Sequence, residues 1–383
     1  MNREEILKDV LSLKERNICL ELSTGVGKTK IALEILQKRE ARDILIVIPR
    51  LALINNWKEE INKWGFTFNP LFTTYISFPK HTGRYDAVIY DEAHHLTDRC
   101  LEAIPDITSK NNLFLSATLK KEHKYRLKEC FPKIRFYKVN TQQAIDNEIL
   151  PEPKIVLIPL QLNKGDFSHP LVIHKNGKKT VETSYRERWR YMRNRDIKLI
   201  INCSEWQYND YLSSTIDYYK RKYMTGRNEI IKNKWLRLCN DRLLFLSSCK
   251  NNAVLNILKK LENERVITFC STIEQTKILG ENAITSDNKD SLKLIEDFNR
   301  GKINHITAVN ILNEGCNLAD CKYGIFAAIN SSEIMQIQKV GRLLRHPHPV
   351  LIIPYFAGTR EQEIVKKMLE NYNQDYVIKT NNF

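Results

Sequence analysis

Residues 23–29 have the sequence Ser-Thr-Gly-Val-Gly-Lys-Thr, and this stretch decides the fold. A short apolar run at 18–22 precedes it and predicts a buried strand, while residues 28–40 carry an apolar side at helical spacing. A glycine-rich turn between a strand and a helix lets backbone amides face an anion without a clash from a Cβ atom. The amino end of the following helix adds a dipole that favours negative charge. The stretch therefore predicts a phosphate-binding loop.

The residues of this loop have separate expected roles. Lys28 would reach the β- and γ-phosphates of ATP, and the hydroxyl of Thr29 would ligate Mg²⁺. The residues expected to bind the nucleotide are Thr24, Gly25, Val26, Gly27, Lys28 and Thr29. The chain departs from the full loop pattern at Leu22, where Gly or Ala is usual. A chance glycine turn is the alternative, and the strand–loop–helix context argues against it.

Strands and helices alternate on both sides of a different middle segment. In the first block, strand candidates lie at 18–22, 44–48, 87–90 and 113–115, and helix candidates at 28–40 and 52–64. In the second block, strand candidates lie at 266–269, 305–309, 324–327 and 350–353. Such alternation is typical of parallel sheets covered by helices on both faces. The chain therefore predicts an α/β protein with two parallel-sheet lobes.

The middle segment differs in pattern and in charge. We divide the chain into a first lobe at 1–150, an insert at 151–251 and a second lobe at 252–383. An Asn-Gly pair at 176–177 predicts a β-hairpin in the insert, and a long, mostly helical stretch follows it. Residues 161–255 include 19 Lys or Arg and 9 Asp or Glu, so they carry +10 of the chain's net charge of +15.

Composition limits the class of partner. Hydrophobic residues make up 42% and charged residues 27%, which is usual for a globular protein. A pI of about 9.3 favours a polyanionic partner, most simply nucleic acid. No stretch reaches membrane-spanning length, so we expect a cytoplasmic protein, monomeric or weakly associating. The nine cysteines include no C-x-x-C pair and no His/Cys cluster with zinc spacing, which predicts scattered reduced thiols.

A second motif follows the strand candidate that ends at Tyr90. Residues 91–94 have the sequence Asp-Glu-Ala-His. Because ligands of an open parallel sheet bind beyond the carboxyl ends of its strands, Asp91 would lie beside the phosphate loop and hold Mg²⁺ directly or through water. Glu92 would then accept a proton from the attacking water. A solvated acidic turn is the alternative, and the phosphate loop upstream argues against it.

Residues 24–29 and 91–94 resemble motifs I and II of the superfamily 2 helicases. The other motifs of that family follow in order at 49–57 (motif Ia), 73–75, 116–118 (motif III), 269–272 (motif IV), 313–317 (motif V) and 338–345 (motif VI). The resemblance covers about three quarters of the chain and omits the insert. Motif Ia has the form seen in the XPB, type I and III restriction and Snf2-like groups, and compact phage helicases of the UvsW type look most similar.

This resemblance implies two RecA-like lobes with an ATP site between them. Gln338, Arg342 and Arg345 would reach the γ-phosphate from the second lobe, since residues three and four apart share a helix face. The planar guanidinium groups of the two arginines can neutralise charge that grows on that phosphate. Gly315 of motif V would also contact the nucleotide. The implied catalytic set is Lys28, Asp91, Glu92, Gln338, Arg342 and Arg345, with Thr29 and Asp91 holding Mg²⁺.

The resemblance also assigns residues to coupling and to nucleic acid. Ser116 and Thr118 would couple hydrolysis to strand contacts by bonding the 91–94 segment, with a plain strand-end turn as the alternative. The expected nucleic-acid contacts are Arg50, Thr74, Thr272, Arg186, Arg190 and Arg193. The last three lie in the insert, whose basic and aromatic residues fit a surface that follows phosphates and stacks on bases. A helical subdomain with its own aromatic core is the alternative.

The chain departs from the family at several positions. No glutamine precedes the phosphate loop, so selectivity for adenine is not implied, and Val309, Asn317 and Lys339 replace the usual Thr, Asp and Arg. We expect an ATP-dependent helicase or translocase acting on branched or partly single-stranded DNA, with DNA preferred over RNA from the resemblance alone. The alternatives are an RNA helicase, an ATP-gated clamp that does not unwind, a motor subunit of a restriction system, and an ATPase without nucleic acid.

Overall fold

The computed structural model describes residues 2–175, 187–188, 197–309, 318, 320–330, 343, 345–370 and 372–381. Two parallel sheets form the two lobes, and a small antiparallel sheet belongs to the insert. Within these ranges, no helix combines the length and the apolar character that a bilayer crossing requires.

The first lobe is built on a six-stranded parallel sheet. Its strands are β1 (Asn17–Leu22), β2 (Ile44–Ile48), β3 (Leu71–Thr74), β4 (Gly83–Tyr90), β5 (Ile107–Ser116) and β6 (Arg135–Val139). Its helices are α1 (Arg3–Ser12), α2 (Lys28–Lys38), α3 (Leu53–Lys63), α4 (Asp98–Ala103), α5 (Lys121–Cys130) and α6 (Thr141–Asp146). The strand order is β3-β2-β4-β5-β1-β6, so β5 lies between the strand before the phosphate loop and the strand before Asp91.

The unbroken apolar run of β2 reflects burial on both faces of the sheet. Ile44, Ile46 and Ile48 belong to the core that includes α1, α2 and α3, whereas Leu45 and Val47 belong to the core on the other face. Side chains of a strand alternate between its faces. Burial of each such side chain contributes about 1.5–3 kcal/mol to the stability of the fold. The two cores therefore fix the position of the sheet edge at which the strands end.

A strand and the insert follow the first lobe. Strand β7 (Lys154–Leu160) comes first. The described part of the insert then has three strands and two long helices. These elements are β8 (His169–Lys175), β9 (Glu187–Arg188), β10 (Ile197–Cys203), α7 (Glu205–Gly226) and α8 (Glu229–Cys249). Strand β10 pairs antiparallel with β8 and β9. The Asn-Gly pair at 176–177 lies outside the described residues.

The second lobe is built on a seven-stranded parallel sheet. Its other strands are β11 (Val266–Phe269), β12 (Ala283–Ile284), β13 (His305–Ala308), β14 (Tyr323–Phe326), β15 (Val350–Phe356) and β16 (Val377–Lys379). Its helices are α9 (Asn251–Lys260), α10 (Ile273–Leu279), α11 (Ser291–Asn299) and α12 (Arg360–Leu369). The strand order is β12-β13-β11-β14-β15-β7-β16.

Strand β7 changes the boundary of the insert. The division made from the sequence counts residues 154–160 with the insert, whereas β7 pairs with β15 and β16 of the second sheet. An apolar run shows that a segment is a buried strand, but only the pairing shows to which sheet it belongs. The α/β class with two parallel-sheet lobes and helices between them is confirmed.

The base of the insert is fixed to the second lobe by a buried ion pair. The Nζ atom of Lys250 lies 2.7 Å from Oε1 of Glu361, and both side chains are almost fully buried. Glu361 also accepts a hydrogen bond from the backbone amide of Phe356 at 3.0 Å. Losing one partner of such a pair typically costs about 3–5 kcal/mol, so the end of α8 is held firmly against the lobe.

Candidate nucleotide site and cleft

The loop after β1 has the backbone shape of an anion cradle. Gly25 and Gly27 have φ angles of 94° and 108°, values that residues with a Cβ atom rarely adopt. A Cβ atom at position 25 would lie 3.0 Å from Cδ2 of Leu150, so a larger residue would also press on the core. Gly27 immediately precedes α2, whose amino end therefore opens at the loop.

Two polar atoms of the loop are buried without a hydrogen-bond partner among the described residues. They are Oγ1 of Thr24 and Nζ of Lys28. The Lys28 ammonium lies 3.5 Å from Oε1 of Glu92. An unsatisfied buried polar group costs about 1–3 kcal/mol, and a charged one more, so native proteins keep few of them. Both donors would be satisfied by the oxygens of a bound phosphate, which fits the expected nucleotide.

Asp91 is oriented by two aromatic side chains. Its Oδ2 atom accepts a hydrogen bond from Nε1 of Trp57 at 2.9 Å. Its backbone carbonyl accepts one from the hydroxyl of buried Tyr75 at 2.7 Å. Both residues lie inside motif-like stretches of the sequence, which does not indicate that they hold Asp91. We therefore add Trp57 and Tyr75 to the candidate site as positioning residues.

Glu92 adopts a strained backbone conformation. Its φ of 48° and ψ of 56° lie in the left-handed region, which costs a residue with a Cβ atom about 1–2 kcal/mol. This conformation brings Oε1 to 3.5 Å from Lys28 Nζ and Oε2 to 3.4 Å from Nδ1 of His94. Strain of this kind persists where the surrounding structure requires it, commonly at functional sites. Here it points the carboxylate of Glu92 at the phosphate loop.

Burial, followed by the neighbouring Glu92 carboxylate, raises the pKa of Asp91 to about 6, against the lowering effects of Trp57 and Lys28. The carboxylates of Asp91 and Glu92 therefore lie side by side, next to the ammonium of Lys28. A divalent cation would stabilise the ionised form of both. Asp91 and Thr29 are the residues that would hold Mg²⁺, whose charge would offset that of the phosphates.

The raised pKa of Asp91 predicts the pH at which the rate of ATP hydrolysis falls on the acid side of the pH–rate profile, its acid limb. At limiting Mg²⁺, ATP hydrolysis without nucleic acid should fall as the pH drops through about 6, because protonation removes the charge of Asp91. Trp57→Phe removes an N–H that stabilises the ionised carboxylate, so the pKa should rise and the limb should move up by about one pH unit. The pH–rate profile measures this.

Trp64→Phe is the matched control, because the indole of Trp64 at the end of the same helix bonds Glu60 at 2.8 Å instead. Its acid limb should coincide with that of the unmodified protein. An unmoved limb in Trp57→Phe would contradict the assignment of this hydrogen bond.

The end of β5 joins the two halves of the site. The buried Oγ of Ser116 lies 3.4 Å from Nδ1 of His94 and donates to the carbonyl of Thr118 at 2.8 Å. The Thr118 hydroxyl lies 3.5 Å from Oε1 of Glu21 on β1. The two hydroxyls therefore bridge the 91–94 segment and the strand before the phosphate loop. This arrangement is suited to the coupling role that the resemblance implies.

Sequence reasoning missed Arg3, which contacts the loop, and Glu21, which lies on the strand before it. Glu21 is 2% exposed and pairs with Lys124 on α5 and, at 3.7 Å, with Lys138. Arg3 donates to the backbone carbonyls of Gly25 at 3.3 Å and Ile149 at 3.1 Å. A charged residue inside an apolar strand is the one signal that could have drawn attention to Glu21.

Arg345 of motif VI is an exposed residue of the second lobe. Desolvation lowers the pKa of its guanidinium, and the charge of Glu60 on α3 acts in the opposite direction. Because Glu60 belongs to the first lobe, charges of the two lobes interact near Arg345. Gln338, Arg342 and Gly315 lie outside the described residues.

The residues expected to contact nucleic acid differ in their exposure and in their local hydrogen bonds. Arg50 is exposed beyond the carboxyl end of β2. The Thr74 hydroxyl accepts from the amide of Ser77 at 3.3 Å, and the Thr272 hydroxyl caps α10 by accepting from the amide of Gln275 at 3.0 Å. The two threonines therefore already have local structural roles. The expected contacts in the insert, Arg186, Arg190 and Arg193, lie outside the described residues.

Comparisons with known proteins find helicase models and a helicase relative that match this chain. The model of the type III restriction enzyme res subunit matches residues 2–70, which include the phosphate loop. The model of the helicase conserved C-terminal domain matches residues 249–347, which include motifs IV to VI. Together with a relative found by sequence, these two matches indicate a superfamily 2 helicase. A relative, the DNA 3'-5' translocase XPB2 of Sulfurisphaera tokodaii, is 21% identical, with 94% of this chain and 82% of the relative covered.

Solved helicases share the fold of this chain. The helicase domain of Pyrococcus furiosus Hef has a TM-score of 0.52 at 14% identity, with 95% of this chain and 97% of the other covered. Dbp5 of S. cerevisiae, bound to RNA and ADP BeF3, has a TM-score of 0.62 at 12% identity, with 99% of this chain and 88% of the other covered. At these identities the likeness concerns the fold alone.

Proposed function

We propose that the protein is an ATP-dependent DNA helicase or translocase that remodels branched or partly single-stranded DNA. One observation carries the ATP part of this proposal. The buried ammonium of Lys28 makes no hydrogen bond among the described residues and faces the strained Glu92 at 3.5 Å. A cation and a carboxylate at the carboxyl edge of a parallel sheet, beside a glycine loop, suit the binding and hydrolysis of a nucleoside triphosphate.

In the proposed reaction each residue acts on a different atom. The loop amides and Lys28 hold the phosphates, and Glu92 takes the proton of the attacking water. Arg345 supplies positive charge from the second lobe, where the γ-phosphate becomes more negative. Since the phosphate loop and Arg345 belong to different lobes, nucleotide binding should draw the lobes together and product release should let them separate. Alternating closure and opening is the physical basis of stepping along a strand.

DNA is the proposed track because the relative found by sequence is named a DNA translocase, whereas one fold neighbour is bound to RNA. The net charge of +15 favours a polyanion without distinguishing DNA from RNA. An RNA helicase and a clamp that does not separate strands remain the competing functions.

Helices α7 and α8 form an antiparallel hairpin with unequal charge along its length. Tyr223 stacks on Trp235 with ring centroids 5.9 Å apart, and Arg242 donates to Ser213 at 3.2 Å nearer the base. The tip, residues 218–237, includes seven Lys or Arg and one acidic residue, Glu229. The basic residues of the tip are Lys220, Arg221, Lys222, Arg227, Lys232, Lys234 and Arg237. The tip is therefore our proposed contact with the phosphate backbone.

Charge reversal at the tip tests this contact. Lys220→Glu/Arg221→Glu should lower DNA affinity at least about 10-fold and reduce the slope of log affinity against log salt by about 1 to 2. Lys366→Glu/Lys367→Glu, an exposed adjacent pair on α12, is the control with the same change of charge. Fluorescence anisotropy over a salt series measures both variants. Equal affinities and slopes in the two would exclude the tip as a phosphate contact.

A pair of assays tests the proposed function as a whole. ATP hydrolysis is measured with single-stranded, duplex and forked DNA and with RNA, and strand displacement is measured on the same forks. Stimulation by forked or single-stranded DNA, together with displacement, is the expected result. Stimulation without displacement would favour a translocase or a clamp, and stronger stimulation by RNA would favour an RNA helicase. Hydrolysis that no nucleic acid changes would contradict the proposal.

A further inference from the structure

Three side chains with metal-binding atoms meet at the base of the insert. His169 is the first residue of β8, Glu205 the first residue of α7, and Cys249 the last residue of α8. One donor atom from each side chain lies within 4.8 Å of the donor atoms of the other two. The three residues are distant in sequence and belong to three different elements. Only the fold brings them together.

The surroundings hold these donors in place. Oε2 of Glu205 accepts a hydrogen bond from the amide of Asn163 at 2.8 Å, so Oε1 is the oxygen that faces Nε2 of His169, at 4.0 Å. The Cys249 thiol donates to the same carboxylate. The ring of Phe245 packs edge-on against the ring of His169, with centroids 5.2 Å apart. Oriented donors of this kind lose little entropy when they take up an ion.

We propose that His169, Glu205 and Cys249 form a binding site for a divalent transition-metal ion of the zinc class. Imidazole nitrogen, carboxylate oxygen and thiolate sulfur are the ligands that zinc takes in proteins. One thiolate and one carboxylate balance the double charge of the ion, so the half-buried site carries no net charge.

The spacing of the donors suits a tetrahedral site. With Zn–N and Zn–O near 2.0 Å and Zn–S near 2.3 Å, donor atoms in such a site lie about 3.3–3.8 Å apart. The present separations need to shrink by about 1 Å, within the reach of side-chain rotation. A water molecule would fill the fourth position.

A bound ion would fix the direction of the hairpin. It would join the first residue of α7 to the last residue of α8 and both to the start of β8. The adjacent residue Lys250 already anchors this end of the hairpin to Glu361 of the second lobe. The site would therefore complete a rigid joint between the second lobe and the hairpin, whose basic tip lies at the far end.

Cobalt binding to the full-length, chelator-treated protein tests the site. Co²⁺ should bind one to one with thiolate-to-cobalt charge-transfer absorption, and Zn²⁺ should displace it. Cys249→Ser should lose this absorption, and His169→Gln should weaken Co²⁺ binding at least about 100-fold while keeping the thiol. Cys239→Ser, on the same helix but outside the cluster, should behave as the unmodified protein.

The result that overturns the proposal is charge-transfer absorption that survives in Cys249→Ser, equal Co²⁺ affinity in His169→Gln, or no such absorption at all. If Cys249→Ser does not fold, thermal melts decide, since Zn²⁺ should raise the Tm of the unmodified protein and not that of His169→Gln. No readout involves ATP or DNA, so the site and the proposed function can fail independently.

Discussion

Glu92→Gln is expected to lower the rate of ATP hydrolysis by about 10²- to 10⁴-fold while leaving ATP binding close to normal. The amide keeps the size of the side chain but cannot accept the proton of the attacking water. Lys28 is unchanged, so the phosphates keep their main cation. Phosphate release under saturating ATP measures the rate, and equilibrium binding of a fluorescent ATP analogue measures the affinity.

The control for this change is Glu102→Gln, an exposed glutamate on α4 away from the loop. It should hydrolyse ATP at the normal rate. A Glu92→Gln protein that retains more than about a tenth of the normal rate would show that another group takes the proton. In that case the strained conformation of Glu92 would need a different explanation.

Lys28→Ala is expected to remove ATP binding as well as hydrolysis. The ammonium is a buried charged donor of the loop itself, without a hydrogen-bond partner among the described residues. Hydrogen bonds to charged groups contribute about 1.5–3 kcal/mol each, so the Kd for ATP should rise about 100-fold or more. Removing it also leaves Asp91 and Glu92 without their cation, which should raise the pKa of Asp91 further above its ordinary value.

Lys30→Ala is the matched control for the lysine. Lys30 lies on the same helix, but its Nζ atom packs over the ring of Trp64 at 3.9 Å instead of facing the loop. Its ATP affinity should be unchanged. Normal nucleotide binding by Lys28→Ala would contradict the placement of the phosphates against this ammonium. The two site variants therefore differ in binding and agree in lost hydrolysis.

Local patterns in the sequence predict most of the strands of the two lobes. The candidate at 44–48 coincides with β2, and that at 266–269 coincides with β11. Both are short apolar runs rich in β-branched residues, and burial on both faces requires such a run whatever its neighbours are. The first halves of β4 and β5, which begin at Gly83 and Ile107, were not predicted. They are mostly polar because they extend beyond the buried centre of the sheet.

The candidate site also contains some residues that the sequence reveals and others that only the structure reveals. The glycine loop and the 91–94 segment are recognisable because their chemistry requires particular residue types at adjacent positions. Trp57, Tyr75 and Glu21 were missed, since a buried aromatic or a strand carboxylate has many ordinary roles. Their importance follows only from distances to Asp91 and Thr118.

The sequence by itself determined the two parallel-sheet lobes, the phosphate loop, the acidic segment and the basic character of the insert, because each depends on residues that are neighbours in the chain. Only the tertiary structure decided that β7 belongs to the second sheet, that Trp57 bonds Asp91, and that His169, Glu205 and Cys249 meet. These are contacts between distant segments, and their geometry depends on how complete elements pack, which no local pattern records.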